Sequence, residues 1–240
     1  MSWFTNWFNS PYYHLLYKNR NNEEAQVFIN NLVSHFKIPK KSKILDIACG
    51  KGRHAIYFNK QGMDVVGVDL SQNSINAAKK EENTTLQFAV HDMRKVFQKN
   101  TFDIVTNLFT SFGYFEKDEE EQKAINAIAL NLKQQGMLII DFMNAKKTVR
   151  NLIKSERKQV DQITFKIRRS IKNNYIIKDI KFSDNGENYQ FQEKVKALTL
   201  TDFSSFINNA GLNIIDIFGN YKLEDFNALT SERLIIICKK

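Results

Sequence analysis

From Lys43 onward, short apolar runs alternate with stretches whose apolar positions recur at helical spacing. "KILDIA" predicts a buried strand, and "GRHAIYFNKQG" predicts a helix with Gly62 near its C-terminal cap, where left-handed backbone is common. "MDVVGVDLS" predicts a second strand, and Ser71 is a fitting N-cap for the helix in "SQNSINAAKKEE". "LQFAVHDM" and "FDIVTNLF" predict the third and fourth strands. Between Lys117 and Gln135, Ala124, Ile125, Ile128, Ala129 and Leu132 mark one helical face, with Gly136 as its stop. "MLIIDFM" then predicts the fifth strand. Ahead of the first strand a helix is expected from Glu23, with Ala25, Phe28, Ile29, Leu32 and Val33 on one face.

Strands separated by single helices need parallel crossovers, so the fold class is α/β, a doubly wound sheet with its ligand at the carboxyl ends of the strands. After the fifth strand the period changes. Ile163 to Ile171, Tyr175 to Phe182 and Tyr189 to Ala197 alternate with period two, and "SDNGEN" makes a turn between the last two. This is an inserted antiparallel sheet, expected over 160–198. Helical spacing resumes in "TDFSSFINNAG", and "LNIIDIFG" and "RLIIICKK" are further apolar runs. No repeat or proline-rich linker divides the chain, so residues 1–240 are expected to form one domain.

A chain of 240 residues can bury a sizeable core, and 42% hydrophobic with 25% charged residues is ordinary for a globular protein. No apolar run is long enough to span a bilayer, and the N-terminus lacks a signal peptide's charged start and apolar core. Two cysteines, Cys49 and Cys238, give no disulfide framework. A cytoplasmic protein without a membrane partner is the expectation. The net charge of +9 is also the electrostatic footprint of a nucleic-acid partner, but no block of Lys and Arg concentrates it. Such a partner stays open and is not favoured. No His/Cys/Asp spacing suggests a metal site.

The chemistry concentrates in "LDIACGKGRHA", a glycine-bearing turn between the first strand and its helix. That arrangement is a generic nucleotide or nucleoside site. Asp46, at the end of the strand itself, would repel a pyrophosphate and suits a ligand that presents cationic or hydroxyl donors. Asp69 ends the second strand, where an acid accepts from ribose hydroxyls. Asp92, after the third strand, is placed to accept from an adenine amino group. An adenosine ligand with a cation and no phosphate fits all three, and S-adenosylmethionine is such a ligand.

These residues resemble the class I S-adenosylmethionine-dependent methyltransferases over nearly the whole chain. "LDIACGKGRHA", "VVGVDLS", "FAVHDM" and "FDIVTNLFTSFGYF" resemble their first four motifs, and "LKQQGMLIIDF" their usual helix and fifth strand. The resemblance implies a mostly parallel, seven-stranded Rossmann-like sheet carrying the inserted antiparallel sheet. It also implies S-adenosyl-L-methionine as cofactor, with S-adenosyl-L-homocysteine as product. Ala48, Gly50 and Gly52 would let the backbone approach the methionyl and ribose portions, although Ala48 and Cys49 stand where glycines often occur. Asp46 would lie near the ammonium, Asp69 on the ribose, Leu70 along the adenine, and Asp92 with Met93 at the adenine edge. Asn107 to Phe109 would lie against the methyl-bearing end.

Small-molecule members use an N-terminal segment as a lid, here residues 1–40, and by that resemblance Tyr17 would cover the sulfonium and Arg20 bind the methionine carboxylate. Phe112 and Tyr114 would shape the substrate entrance. The stretch after the fourth strand lacks the Asn/Asp-Pro-Pro-aromatic signature of many nucleic-acid amino-methyltransferases. "FTSFGYF" and the insert are most similar to aminosugar N,N-dimethyltransferases and glycine N-methyltransferase-like enzymes. The expected function is methyl transfer to a small-molecule nitrogen. The alternatives are a tRNA, rRNA or protein methyltransferase, and a non-catalytic binder of the same cofactor. No catalytic base stands out; Tyr114 and His91 are the candidates. In the insert, taken as a substrate cap, Arg169 and Glu193 fall on apolar faces by parity. They are expected either to pair with each other or to face the cleft and bind substrate.

Overall fold

The computed structural model describes residues 3–18 and 22–240, with backbone only at positions 3 and 5. Its first elements are two short helices, α1 (Trp3–Phe8) and α2 (Pro11–Leu16), followed by α3 (Asn22–His35). Ser10 starts α2 by accepting from the Tyr12 amide at 3.2 Å, and Pro11 occupies the first turn, where a missing N–H is harmless. The alternation read from the sequence follows as β1 (Lys43–Ile47), α4 (Arg53–Lys60), β2 (Asp64–Asp69), α5 (Gln72–Ala78), β3 (Leu86–Val90), β4 (Phe102–Asn107), α6 (Asp118–Asn131) and β5 (Leu132–Met143). After α7 (Ala145–Arg150) come β6 (Ser155–Val160), β7 (Ile163–Lys172), β8 (Tyr175–Asp184) and β9 (Glu187–Lys196), then α8 (Leu200–Asn209), β10 (Asn213–Phe218) and β11 (Arg233–Lys239).

The main sheet has seven strands in the order β10-β11-β5-β4-β1-β2-β3, parallel except where β11 pairs antiparallel with β5 and β10. Strand parity explains why the central runs are apolar throughout. Leu45, Val105, Leu138 and Ile236 face a core completed by Ile125 and Ile128 of α6 and Phe203 of α8. Ile44, Ile104, Ile139 and Ile237 face the other, completed by Phe28 and Leu32 of α3 and Phe58 of α4. Each such side chain is buried and contributes about 1.5–3 kcal/mol of apolar transfer.

The insert is a separate antiparallel sheet in the order β6-β7-β8-β9. Its turns carry Asn173–Asn174 and Asn185–Gly186 at positive φ, the backbone that closes a two-residue hairpin. Strand β6 extends the expected insert toward the N-terminus. "SERKQV" carries no apolar face that a periodicity argument could find. Gly136 also departs from expectation: α6 stops at Asn131, and Gly136 lies inside β5. The helix ends early because the carbonyls of Leu130 and Asn131 accept from Asn100 and Thr101, while the Asn131 side chain accepts from the Phe97 and Gln98 amides.

A third core joins what the sequence treats as two segments. Trp7 of α1 and Leu16 of α2 are buried against Phe165, Ile167, Ile180 and Phe182 of the insert. Tyr12 packs between Phe182 and Tyr189, with ring centroids 4.6 and 4.7 Å away. The first two helices and the inserted sheet therefore share one apolar interior.

Candidate functional site

The turn after β1 alternates through left-handed backbone at Ala48 (φ 58°), Gly50 (φ 58°) and Gly52 (φ 82°). The two glycines answer different needs. A Cβ on Gly52 would sit 2.6 Å from the Phe88 ring, so this residue lets α4 start against β3. A Cβ on Gly50 would meet nothing within 4 Å, because that backbone borders a cavity of about 890 Å³. Ala48 holds the same conformation with a methyl group, at a cost of about 1–2 kcal/mol.

Asp69, at the end of β2, closes the turn. Its Oδ2 accepts from the Gly50 amide and its Oδ1 from the Ser71 amide, both at 2.8 Å. Burial raises its pKa, and the amide bonds from Ser71 and Gly50 oppose the rise. A carboxylate has about four acceptor sites, so both oxygens retain capacity for a diol facing the cavity. Leu70 follows on the same wall and is 40% exposed, an apolar surface suited to a flat ring. Beneath the turn, Asp46 is buried. Thr106 Oγ1 donates to its Oδ1 at 2.8 Å, whereas Oδ2 has no partner among the described residues. Burial raises the Asp46 pKa to about 7, against the Thr106 bond, and the Asp69 charge adds to the rise.

At the end of β3, Asp92 grips Arg94, with Nη2 to Oδ2 at 2.6 Å and Nε to Oδ1 at 3.0 Å. Burial alone would raise the Asp92 pKa; the bonds from Arg94 outweigh it and lower it. Arg94 also reaches Glu120 at 2.6 Å and lies over the Phe115 ring at 4.9 Å. His91 is tied to the Lys95 carbonyl at 2.9 Å.

At the end of β4, two consecutive residues without glycine's freedom, Phe109 (φ 62°) and Thr110 (φ 61°), adopt left-handed backbone. The Phe109 amide donates to Asp141 Oδ2 at 2.8 Å, and the Thr110 amide to the Asp141 carbonyl at 2.9 Å. Tyr114 lies a turn further on and donates its hydroxyl to the Thr110 carbonyl at 2.6 Å.

The cavity roof comes from the third core. Glu193 Oε1 accepts from the Trp7 indole at 2.8 Å and from the Tyr17 hydroxyl at 2.6 Å, and Lys178 stands 3.3 Å from Oε2. Lys178 also lies over the Tyr17 ring at 4.5 Å. Asn9, between α1 and α2, reaches the opposite wall: its Oδ1 accepts from Ser71 Oγ at 2.9 Å and from the Asn73 amide at 3.1 Å. The roof thus rests on the residue two places after Asp69.

Tyr17, Ala48, Gly50, Asp69, Leu70, Asp92, Met93, Phe109, Tyr114 and Arg169 share the cavity wall. Asp46, Gly52, Asn107 and Phe112 do not line it. Asn107 is buried and donates to the Ile47 and Ser111 carbonyls at 3.2 and 3.4 Å, fixing the end of β4 to β1. Phe112 is 1% exposed and packs on Phe203 in the core, so it does not shape an entrance. Arg20 lies outside the described residues. Arg169 does not pair with Glu193; its guanidinium reaches Glu156 at 2.6 Å and the Ile153 carbonyl at 3.2 Å, because β6, absent from the sequence reading, flanks β7. Strand and helix periods do not mark Asn9, Lys178 or Asp141 as positions that shape the cavity. Only Asp141 had a signal, an acid inside the run "MLIIDFM".

Comparison with known proteins agrees with this geometry. The methyltransferase-domain family matches residues 44–136, the span from β1 through α6 into β5. A Geobacillus protein named as a candidate methyltransferase is 25% identical over 227 residues, 90% of this chain and 91% of its own length. Residues 44–136 form a methyltransferase domain of the S-adenosylmethionine-dependent kind. The dTDP-3-amino-3,4,6-trideoxy-α-D-glucopyranose N,N-dimethyltransferase of Streptomyces venezuelae is 32% identical over 106 residues, 44% of each chain. The fold matches that of an S-adenosylmethionine-dependent methyltransferase from Clostridium acetobutylicum with a TM-score of 0.79, at 19% identity and covering 95% of both chains. A methyltransferase cavity must admit an adenosine and a methionine chain, and the open backbone at Gly50, the unfilled acceptor sites of Asp69 and the bare face of Leu70 fit that ligand.

Proposed function

We propose that this methyltransferase acts on a nitrogen of a small molecule held beneath the inserted sheet. The observation that carries this reading is the roof. The cavity is covered by α1, α2 and the insert of the same chain, packed through their own apolar core, so a tRNA or a protein surface would have to displace that core. The similarity to an enzyme named for N,N-dimethylation of an aminosugar supports nitrogen as the acceptor.

In this reading Asp69 accepts from the ribose hydroxyls, Leu70 and Met93 flank the adenine, and the Ala48–Gly50 backbone follows the methionine portion. Asp92 serves the adenine amino group with the acceptor capacity that Arg94 leaves. Phe109 and Tyr17 border the methyl-bearing end, and Tyr114 and Arg169 border the acceptor. S-adenosylmethionine supplies an electrophilic methyl group on a sulfonium. The chain's contribution is to align the acceptor lone pair with that methyl group and keep water away, which alone accounts for much of the acceleration of a bimolecular step. A nitrogen–carbon bond forms as the carbon–sulfur bond breaks, and the nitrogen afterwards loses its proton. Tyr114 has its hydroxyl proton committed to Thr110, so the acceptor amine is expected to enter neutral. A cytoplasmic location is part of the proposal; both cysteines are unpaired, and no described helix is long and apolar enough to cross a membrane.

The test is incubation with methyl-labelled S-adenosylmethionine and a metabolite extract, alongside tRNA and protein fractions. Label in a small amine is expected. Label in RNA or protein alone would overturn the reading.

A further inference from the structure

We infer that Asp141, Tyr221 and Arg233 form a clamp that sets the reactive end of the cavity by holding Phe109 and Thr110 in left-handed backbone. Phe109 and Thr110 line the cavity, whereas Asp141 lies behind them on β5, 1% exposed. It is an acid within an apolar strand, and its carboxylate oxygens accept from the clamp and from the bend. Its Oδ1 accepts from Arg233 Nε at 2.8 Å, and its Oδ2 from the Tyr221 hydroxyl at 3.0 Å and the Phe109 amide at 2.8 Å. Its carbonyl accepts from the Thr110 amide at 2.9 Å. Arg233 completes the ring by donating to Thr110 Oγ1 at 3.0 Å.

Two adjacent residues with side chains do not keep positive φ unless their surroundings over-determine it. Here three hydrogen bonds reach the bend from β5 and β11, and two more hold Asp141 itself, from β11 and from the segment after β10. Burial raises the Tyr221 pKa and the Asp141 charge raises it further, so the hydroxyl stays a donor. Burial alone would make Arg233 easier to deprotonate; Asp141 reverses that, so the cation persists.

The consequence reaches two cavity side chains. Two guanidinium groups lie near the Phe109 ring, Arg53 at 4.9 Å and Arg233 at 5.7 Å from its centre. Tyr114 takes its orientation from the Thr110 carbonyl at 2.6 Å. Asp141, Tyr221 and Arg233 are therefore positioning residues that act through Phe109 and Thr110. The inference does not depend on the acceptor's identity. It rests on the cofactor reading only for its second readout.

The test uses Tyr221→Phe, which keeps the ring and removes one donor from Asp141; Asp141→Asn would strand the buried Arg233 cation and confuse folding with positioning. Amide exchange in the free protein is the first readout. Exchange at Phe109 and Thr110 should accelerate by about tenfold or more, the loss expected for one bond to a charged acceptor, while amides of β1 and β2 stay unchanged. Calorimetric S-adenosylmethionine affinity is the second, and should fall several-fold at unchanged fold. Unchanged exchange at Phe109 and Thr110 in Tyr221→Phe would overturn the clamp. A starting protein that bound no S-adenosylmethionine would count against the cofactor reading, and the exchange result would still decide the clamp.

Discussion

Trp7, in the first helix, donates its indole N–H to the carboxylate of Glu193, near the end of the inserted sheet, at 2.8 Å. The two residues are 186 positions apart and close the seam between segments that the sequence presents as unrelated. A bond to a charged acceptor is worth about 1.5–3 kcal/mol, so Trp7→Phe should loosen the seam without unfolding the main sheet. Protease cutting within residues 3–18 should speed up while the main thermal transition moves little. Equal cutting of the two proteins would show that the third core holds the helices without this bond.

Asp69 accepts from two backbone amides and faces the cavity. Asp69→Ala should weaken S-adenosylmethionine binding about tenfold or more, since 1.4 kcal/mol is a factor of ten. Calorimetry on the folded variant checks it, and unchanged affinity would remove Asp69 from the cofactor site.

Gly50→Ala and Gly52→Ala should separate binding from folding. At Gly52 the new methyl meets the Phe88 ring at 2.6 Å, and overpacking of this kind costs about 1–3 kcal/mol before the backbone strain at φ 82° is added. At Gly50 the methyl enters open space, so only strain of about 1–2 kcal/mol opposes folding. Melting temperature should fall more for Gly52→Ala, and cofactor affinity per folded molecule should fall more for Gly50→Ala. The reverse ranking would mean that the cavity lies elsewhere.

Asp46 predicts a pH dependence with a definite sign. Its folded pKa of about 7 lies above the ordinary 3.8, so the folded protein holds the proton longer than the unfolded chain. Stability of the free protein should therefore fall as pH rises from about 4 to about 7 on this group's account, and level off above. On the reading that the cofactor's ammonium lies against the Ala48–Gly50 backbone above Asp46, its charge favours the carboxylate, so cofactor binding near pH 7 should release a proton and tighten as pH rises. Binding heats in buffers of different ionisation enthalpy report that proton. If Asp46→Asn releases as many protons as the starting protein, the group is another.

Lys196 and Arg169 both sit in the insert and both pair with acids, but their surroundings differ. Lys196 is 3.0 Å from Glu121, with side-chain exposures of 6% and 0%. Arg169 and Glu156 are at 20% and 35%. Lys196→Met strands a fully buried carboxylate and should cost about 3–5 kcal/mol, whereas Arg169→Met should cost about 1 kcal/mol or less. Thermal melts of the two variants, with Glu121→Gln added to the first, check the assignment. Partial recovery by Glu121→Gln is expected, and none would mean that Lys196 acts through packing alone.

The sequence by itself determined the parallel sheet and the residues at its strand ends. Those strands are buried on both faces, so unbroken apolar runs betray them, and Asp69 and the Gly50 turn follow the runs at fixed offsets. It also determined three strands of the insert, whose faces alternate. It did not disclose β6, because a strand made mostly of charged residues carries no apolar period, and without β6 the Glu156 partner of Arg169 could not be read. Asn107, Gly52 and Phe112 show the same limit from another side: adjacency in a motif does not say whether a side chain turns into the cavity or into the core. Only tertiary packing decided that Trp7, Tyr17 and Glu193 meet, that Asn9 rests on Ser71, and that Asp141, Tyr221 and Arg233 enclose one bend. Each of these contacts joins residues far apart in the chain. Local periodicity records which face of an element is buried, and says nothing about which distant residue will bury it.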